Sequence, residues 1–446
     1  MEILEKITGN KFPVDCKQGE QARLIPVMDW RETHLLGFFL AALQGVPCYS
    51  RALFDLIDAP KGKTQKVECF TEVVFRSDKT GENRVDGLIE ISRGKTQWRG
   101  IVEAKMGSAA IESEQIERYL RLARENKVDA VITISNDFVA RPTDSPIKVS
   151  GMLTKSVKLY HLSWWSLVTE ALLIQHNQSD LTGSESFLLE ELLRACLHPK
   201  SKIQGFTQMN KSWKEVVAKV QSGTLQKSDP DTLATVSDWM QEQKELALIL
   251  SRYLGRHATL WLPSKLSDPI ELRKSLTNSL TQDACLACEI RLNDLASPID
   301  IKTEIQNRRH VFSMKLRAPE DKKSSKARLN WLTRQLKNVS DSRVEIICQW
   351  PGKTPPNSAS IEKILEDPDV VLAYRPEAVP HAFVVALIDD LGGRYQMPKV
   401  FLERLEAGFL EFYGDVAVAL RAWQPPAPKP IEPVVSADEK WVAPSD

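Results

Sequence analysis

The chain has 446 residues, more than one ordinary hydrophobic core organises, so two or three domains are expected. Hydrophobic residues at 42% and charged residues at 26% fit a soluble globular protein. Lys and Arg number 59, as do Asp and Glu, so whole-chain charge points to no partner and any nucleic-acid signal has to be local.

The opening residues, "MEILEKITGNKFPVDCK", carry no apolar run and do not read as a signal peptide. The longest apolar candidate, Leu35 to Val46, is too short to span a membrane and contains Gln44 and Gly45, so no membrane association is expected. The seven cysteines are scattered, which suggests reduced thiols and a cytoplasmic location. Residues 1–180 alternate helix and strand patterns. "WRETHLLGFFLAAL" is helical by period; "VECFTEVVFR" (67–76), "RVDGLIEIS" (84–92) and "QWRGIVEAK" (97–105) read as strands; a helix follows at 111–125, then strands at 128–135 and 157–164. That order predicts a mixed α/β sheet. Residues 181–295 read as a mostly helical connecting region, clearest at 231–254. Residues 296–423 return to α/β alternation, with strands at 310–317 and 343–350 around a helix at 324–337. From 424 to 446 the density of proline favours extended chain over a fold.

Three charges interrupt the apolar strands of the first region. Alternation with period two puts Ile101, Glu103 and Lys105 on one side of their strand. Asp86 lies on the preceding strand, and the short polar turn "SRGKTQ" predicts that the two pair antiparallel. The pairing brings the Asp86 and Glu103 carboxylates within reach of one ion. Two carboxylates and the backbone carbonyl after the Glu suit Mg²⁺, which stabilises charge on a phosphate and lowers the pKa of a bound water. Lys105 is one pleat beyond and can orient that water or oppose developing negative charge. A structural Lys–carboxylate network at a sheet edge fits the same residues.

In this order and context, Asp86-Gly87, then Glu103-Ala104-Lys105, then a helix bearing Gln115 and Tyr119 resemble the PD-(D/E)XK nuclease superfamily over roughly the first third of the chain. Val85 stands where the literal motif has proline. The resemblance implies a restriction-endonuclease-like mixed sheet flanked by helices, with Asp86 on the second core strand and the ExK on the third. It implies metal-dependent hydrolysis of DNA phosphodiester bonds, with Mg²⁺ or Mn²⁺ held by Asp86 and Glu103 and helped by Glu32 on the first core helix. Lys105 would assist the attacking water and Gln115 would position it. Glu72, on the strand before Asp86, is a further carboxylate candidate. A nuclease fused to a sensing or recognition domain resembles bacterial restriction and anti-phage proteins. Double-strand cutting would favour a homodimer, and a protein partner or activator fits the same architecture. The alternative is a catalytically inactive nuclease-like module that binds nucleic acid or a protein.

Between Lys302 and Arg343 twelve Lys and Arg stand against four Asp and Glu, a local net charge of +8. On the helix at 324–337, Lys323, Lys326, Asn330, Arg334 and Lys337 step by three and four along one face, while Leu329, Leu332 and Leu336 line another. With Arg308 and Arg309 the stripe is a candidate DNA-backbone surface, and a solvated helix face reads equally well. Trp331 and Trp350 suit base stacking less than core packing. Cys285 and Cys288 form a lone CxxC without further zinc ligands and read as buried thiols. No phosphate-binding glycine loop and no Ser–His–Asp or Cys–His set is present.

Overall fold

The structure, a computed structural model, describes residues 23–62, 65–77, 81–139, 141–177 and 181–425. The chain forms two compact units, residues up to 314 with 386–418, and residues 315–385 with those from 419.

In the first unit, helix α1 (Glu32–Gly45) buries Leu35, Leu36, Phe39, Leu40 and Leu43, the three- and four-residue spacing of one helical face. Pro47 opens α2 (Pro47–Leu56), where its missing N–H costs nothing. Strands β1 (Lys66–Ser77), β2 (Gly81–Arg93) and β3 (Thr96–Ala104) form an antiparallel meander. Helix α3 (Ser113–Glu125) leads to β4 (Ala130–Ser135) and β5 (Lys158–Ser163), both parallel to β3. The result is a mixed five-stranded sheet in the order β1-β2-β3-β4-β5, and all six residues of β4 are buried. Two clusters cover its faces. Val102, Ala104, Ile132 and Ile134 pack with α1, α2 and the helices α4 (Trp164–Asn177) and α5 (Gly183–Cys196). Val85, Ile101 and Val131 pack with Ile116, Tyr119 and Leu120 of α3. The mixed α/β architecture expected for this region is therefore present, with element ends within a few residues of those read from the period.

The β1–β2 ribbon changes face partway along. Val67 and Cys69 pack with the α1 cluster, whereas Val73 and Phe75 pack with the α3 cluster, although odd positions of a regular strand share a side. On β2, Ile89 and Ile91 belong to the first cluster and Val85 to the second. The change occurs where Glu72 has a left-handed backbone, φ +54, and Cα pairing skips Glu72 and Asp86 between Thr71↔Gly87 and Val73↔Val85. Gly87 lies close under α1: a Cβ there would be 2.9 Å from Leu40 Cδ1.

The rest of the first unit contains α6 (Trp213–Gln221), α7 (Pro230–Leu254), β6 (Thr259–Trp261), α8 (Pro269–Gln282), β7 (Cys285–Arg291), β8 (Ile299–Glu304), the start of β9 (Arg309–Arg317) and α12 (Pro398–Asp415). Strands β6 to β9 pair antiparallel in sequence order. Two of them, β6 and β7, fall inside the stretch expected to be mostly helical. Of the two cysteines expected to be buried thiols, Cys285 is buried and Cys288 half-buried, and both are free. The second unit contains α9 (Ser325–Gln335), β10 (Val344–Gln349) paired with β11 (Asn357–Ser360), and the short helices α10 (Ile361–Glu366) and α11 (Asp369–Leu372). A further strand, β12 (Ala382–Asp390), has its residues to Val385 in the second unit and those from Ala386 in the first. Among the described residues no helix is long and apolar enough to cross a membrane. The N-terminal residues read against a signal peptide, and the proline-rich tail from 426 on, lie outside the described residues.

Candidate active site

Glu103 and Asp86 meet where two strands part. The β2–β3 ladder ends at Gly87↔Val102, whereas β3 stays paired to β4 through Glu103↔Thr133 and Ala104↔Ile134. A ladder that ends leaves backbone donors to be satisfied. Asp86 does this for β3: its Oδ2 accepts from the Ala104 amide at 3.3 Å. The two carboxylate-bearing residues are thus tied across the gap.

Glu103 shares its strand face with Ile101, toward α3, and has no solvent exposure. Its Oε1 accepts from Lys105 Nζ and from Gln115 Nε2, each at 2.7 Å. Gln115 also donates to the Tyr119 hydroxyl at 3.2 Å, and that hydroxyl donates to the Arg84 carbonyl at 3.2 Å. Residues four apart on α3 therefore form a hydrogen-bonded chain from Glu103 back to β2. The other oxygen, Glu103 Oε2, is buried without a hydrogen-bond partner.

Burial pushes the Glu103 carboxyl up to about 7, the neighbouring Asp86 charge adds to this, and Lys105 offsets part of it. Burial alone would lower the Lys105 ammonium, but its hydrogen bond to Glu103 and the charges of Glu103, Glu32 and Asp86 outweigh it, so the net shift is upward and Lys105 stays charged. Burial, with the Glu103 charge, pushes the Tyr119 hydroxyl up to about 12, so it remains a neutral donor at physiological pH.

Glu32, expected to help hold the ion, lies beside Lys105. Its Oε1 accepts from the Met106 amide at 3.2 Å and its Oε2 lies 3.8 Å from Lys105 Nζ. Among the described residues no three His, Cys, Asp or Glu side chains form a group able to hold a metal ion. Glu32, in the first turn of α1, has one oxygen on the backbone donor that follows the ExK. What remains for a divalent cation is the Asp86–Glu103 pair. It fits such an ion in one respect: a buried carboxylate oxygen without a partner, next to a second carboxylate of like charge, is stabilised by positive charge. Tyr119 lies in the core with its hydroxyl engaged. Glu72 is turned to Arg84, 2.8 Å from its Nη1.

Two contributors carry no motif. Trp164 Nε1 donates to the Lys105 carbonyl at 2.8 Å, fixing the chain just after the ExK. Asn136, at the end of β4, donates from Nδ2 to the carbonyls of Gly107 (3.0 Å) and Lys202 (2.8 Å), joining two loops beside the site. A cleft of about 570 Å³ opens next to Glu32, lined by Trp30, Arg31, Glu72, Arg84, Met106 and Lys202.

The basic stretch is divided. Arg308 and Arg309 belong to the first unit, Lys323, Lys326, Arg334 and Lys337 to the second. Arg309 is paired with Glu304 at 2.7 Å, and Arg308 donates to Gln221 at 2.8 Å. Each of the four acids in the stretch is engaged by a neighbouring base: Glu304 by Lys302 and Arg309, Glu320 by Arg317, Asp321 by Lys322, Asp341 by Arg343. Lys323, Lys326, Arg334 and Lys337 are exposed around α9 while Leu329, Leu332 and Leu336 are buried, the two-faced helix that the spacing predicts. Trp350 is buried, with Nε1 donating to Asn357, and does not offer a stacking face. The chain matches no known family model, and no curated protein sequence matches it.

Proposed function

We propose that the first unit is a metal-dependent nuclease hydrolysing phosphodiester bonds of DNA. The observation that carries this reading is the convergence of Asp86, Glu103, Lys105 and Gln115 at the point where β2 leaves β3. Asp86 and Glu103 are the residues that would hold Mg²⁺ or Mn²⁺; when bound, such an ion supplies Lewis acidity toward a phosphate oxygen and a more acidic water. Lys105 holds a protonated ammonium beside Glu103 and opposes negative charge that develops on a phosphate placed there. Gln115 fixes the Glu103 carboxylate in one orientation. Glu32 restrains both the Lys105 ammonium and the backbone after it.

A second reading, a nuclease-like module that binds nucleic acid or a protein without cutting, is favoured by the engagement of Glu32 with Met106, which leaves two carboxylates at the centre. The readings separate on purified protein incubated with plasmid, linear and single-stranded DNA in Mg²⁺ or Mn²⁺. The nuclease reading expects cleavage that Lys105→Ala abolishes, and calorimetric uptake of Mn²⁺ that Asp86→Asn removes. Inert wild-type protein that also takes up no Mn²⁺ sinks it.

A further inference from the structure

Resting on that reading, we infer that Arg31, Arg84 and Lys202 form the phosphate-binding rim that seats duplex DNA at this site, with Glu72 holding Arg84 in place until a phosphate takes it over. All three cations are exposed and line a cleft that also includes Glu32. They come from three separate parts of the chain: the cap of α1, β2, and the loop after α5. The two acids of the same cleft are already engaged, Glu32 by the Met106 amide and Lys105, Glu72 by Arg84. The charge presented outward is therefore positive, which complements a polyanionic backbone.

Two of the three cations are positioned by specific contacts. Arg84 is held at both ends: its carbonyl accepts from Tyr119, the end of the chain that starts at Glu103, and its guanidinium is 2.8 Å from Glu72. Glu72 lies at the unpaired step of the β1–β2 ladder, in a left-handed conformation that costs a non-glycine residue energy. Lys202 also has a left-handed backbone, φ +56; its carbonyl is tied to Asn136 and its stem lies against Gly107, two residues past the ExK. Arg31 precedes α1, one residue from Glu32. A carboxylate and a phosphate compete for the same face of a guanidinium, so the Glu72–Arg84 pair is exchanged for an Arg84–phosphate pair when DNA binds.

The test is a fluorescence-anisotropy titration of a short labelled duplex DNA, in EDTA so that nothing is cut, repeated across a range of salt. Arg31→Ala, Arg84→Ala and Lys202→Ala are each expected to weaken binding about tenfold and to reduce the salt slope by about one. Glu72→Gln is expected to tighten binding, because Arg84 loses its competitor. Arg84→Lys is expected to keep most of the affinity, which separates lost charge from lost fold. Wild-type protein that binds no duplex, a triple cleft variant that binds as wild type does, or Glu72→Gln that binds more weakly overturns the inference. Tighter binding of duplex RNA than of DNA overturns the choice of DNA. The reading beneath it fails differently: protein that binds in this manner yet cuts nothing with Mg²⁺ or Mn²⁺ refutes the nuclease and leaves the rim standing.

Discussion

Glu103 and Glu242 are both fully buried, and burial raises the pKa of both carboxyls, yet their neighbours differ in sign. Glu103 sits 2.7 Å from Lys105 and at the gap between parted strands. Glu242, on α7, has neither oxygen hydrogen-bonded, and the charges that reach it are those of Glu406 and Glu245, both of its own sign. Burial likewise pushes Glu406 up to about 7. A raised carboxyl pKa therefore reports burial in both places. What distinguishes the first is a counter-charge and its place at the end of the β2–β3 ladder beside a second carboxylate.

The largest expected contrast is in rate. Lys105→Ala and Glu103→Gln are expected to lower DNA cleavage by about a thousandfold, the scale of losing a preorganised charge or an acid–base group. Glu242→Gln is expected to leave cleavage unchanged. Equal losses in all three, measured on plasmid with circular dichroism to verify folding, would break the comparison.

The next contrast is in stability against pH. A carboxyl whose folded pKa exceeds its unfolded value near 4.5 binds its proton more tightly in the folded state. Its contribution is fully present below about 4.5 and is lost as pH rises through the folded value, about 7 for Glu103 and Glu406. Glu304 acts in the opposite direction. Hydrogen bonds from Asn307, Arg309 and Lys302 outweigh burial and hold its pKa at about 2, so its contribution is present above 4.5 and lost as pH falls toward 2. Urea midpoints are thus expected to peak near pH 5 and to fall on both sides. Glu103→Gln is expected to flatten the fall in stability between pH 5 and pH 8. Glu242→Leu, which replaces an unpartnered buried carboxyl, is expected to stabilise by about 1–3 kcal/mol at pH 8. A destabilised Glu242→Leu would mean that the carboxyl has a role which its two unpartnered oxygens do not reveal.

The two regions also differ in how far they can be read from sequence. Period two was enough to put Glu103 and Lys105 on one side of β3, and period 3.6 to put Gln115 and Tyr119 on one side of α3, because both elements are regular. Asp86 sits where regularity fails: the left-handed Glu72 and the change of face in β1 and β2 have no local signature, since Glu is not a residue that favours such a backbone. The place of Glu32 was equally hidden, because its partner is a backbone amide of a distant loop and amides look alike in every sequence. Arg84 and Lys202 belong to no motif, and only the folded chain sets them beside one cleft. The Glu242 cluster escaped the sequence reading too: in a helix of mixed polarity, Glu242 and Glu245 are three apart and look like members of an exposed face. Their burial is decided by what packs on α7, which local pattern does not carry.

The smallest expected effect tests whether the chain from Glu103 to β2 is support or chemistry. The Tyr119 hydroxyl accepts from Gln115 and donates to the Arg84 carbonyl, and with its pKa near 12 it gives up no proton at neutral pH. Tyr119→Phe keeps the ring among Ile116, Leu120 and Val85 and removes only the two hydrogen bonds. Gln115 keeps its bond to Glu103, so the carboxylate stays oriented, while the Arg84 carbonyl loses a partner. The expected loss of stability is about 1 kcal/mol, the net worth of an ordinary hydrogen bond. The expected loss of cleavage rate is less than about tenfold, since Tyr119 acts only through the positions of its neighbours. Measured together by urea denaturation and plasmid cleavage, a rate loss that instead approaches that of Lys105→Ala would place the Tyr119 hydroxyl at the reacting phosphate and require the site to be redrawn around it.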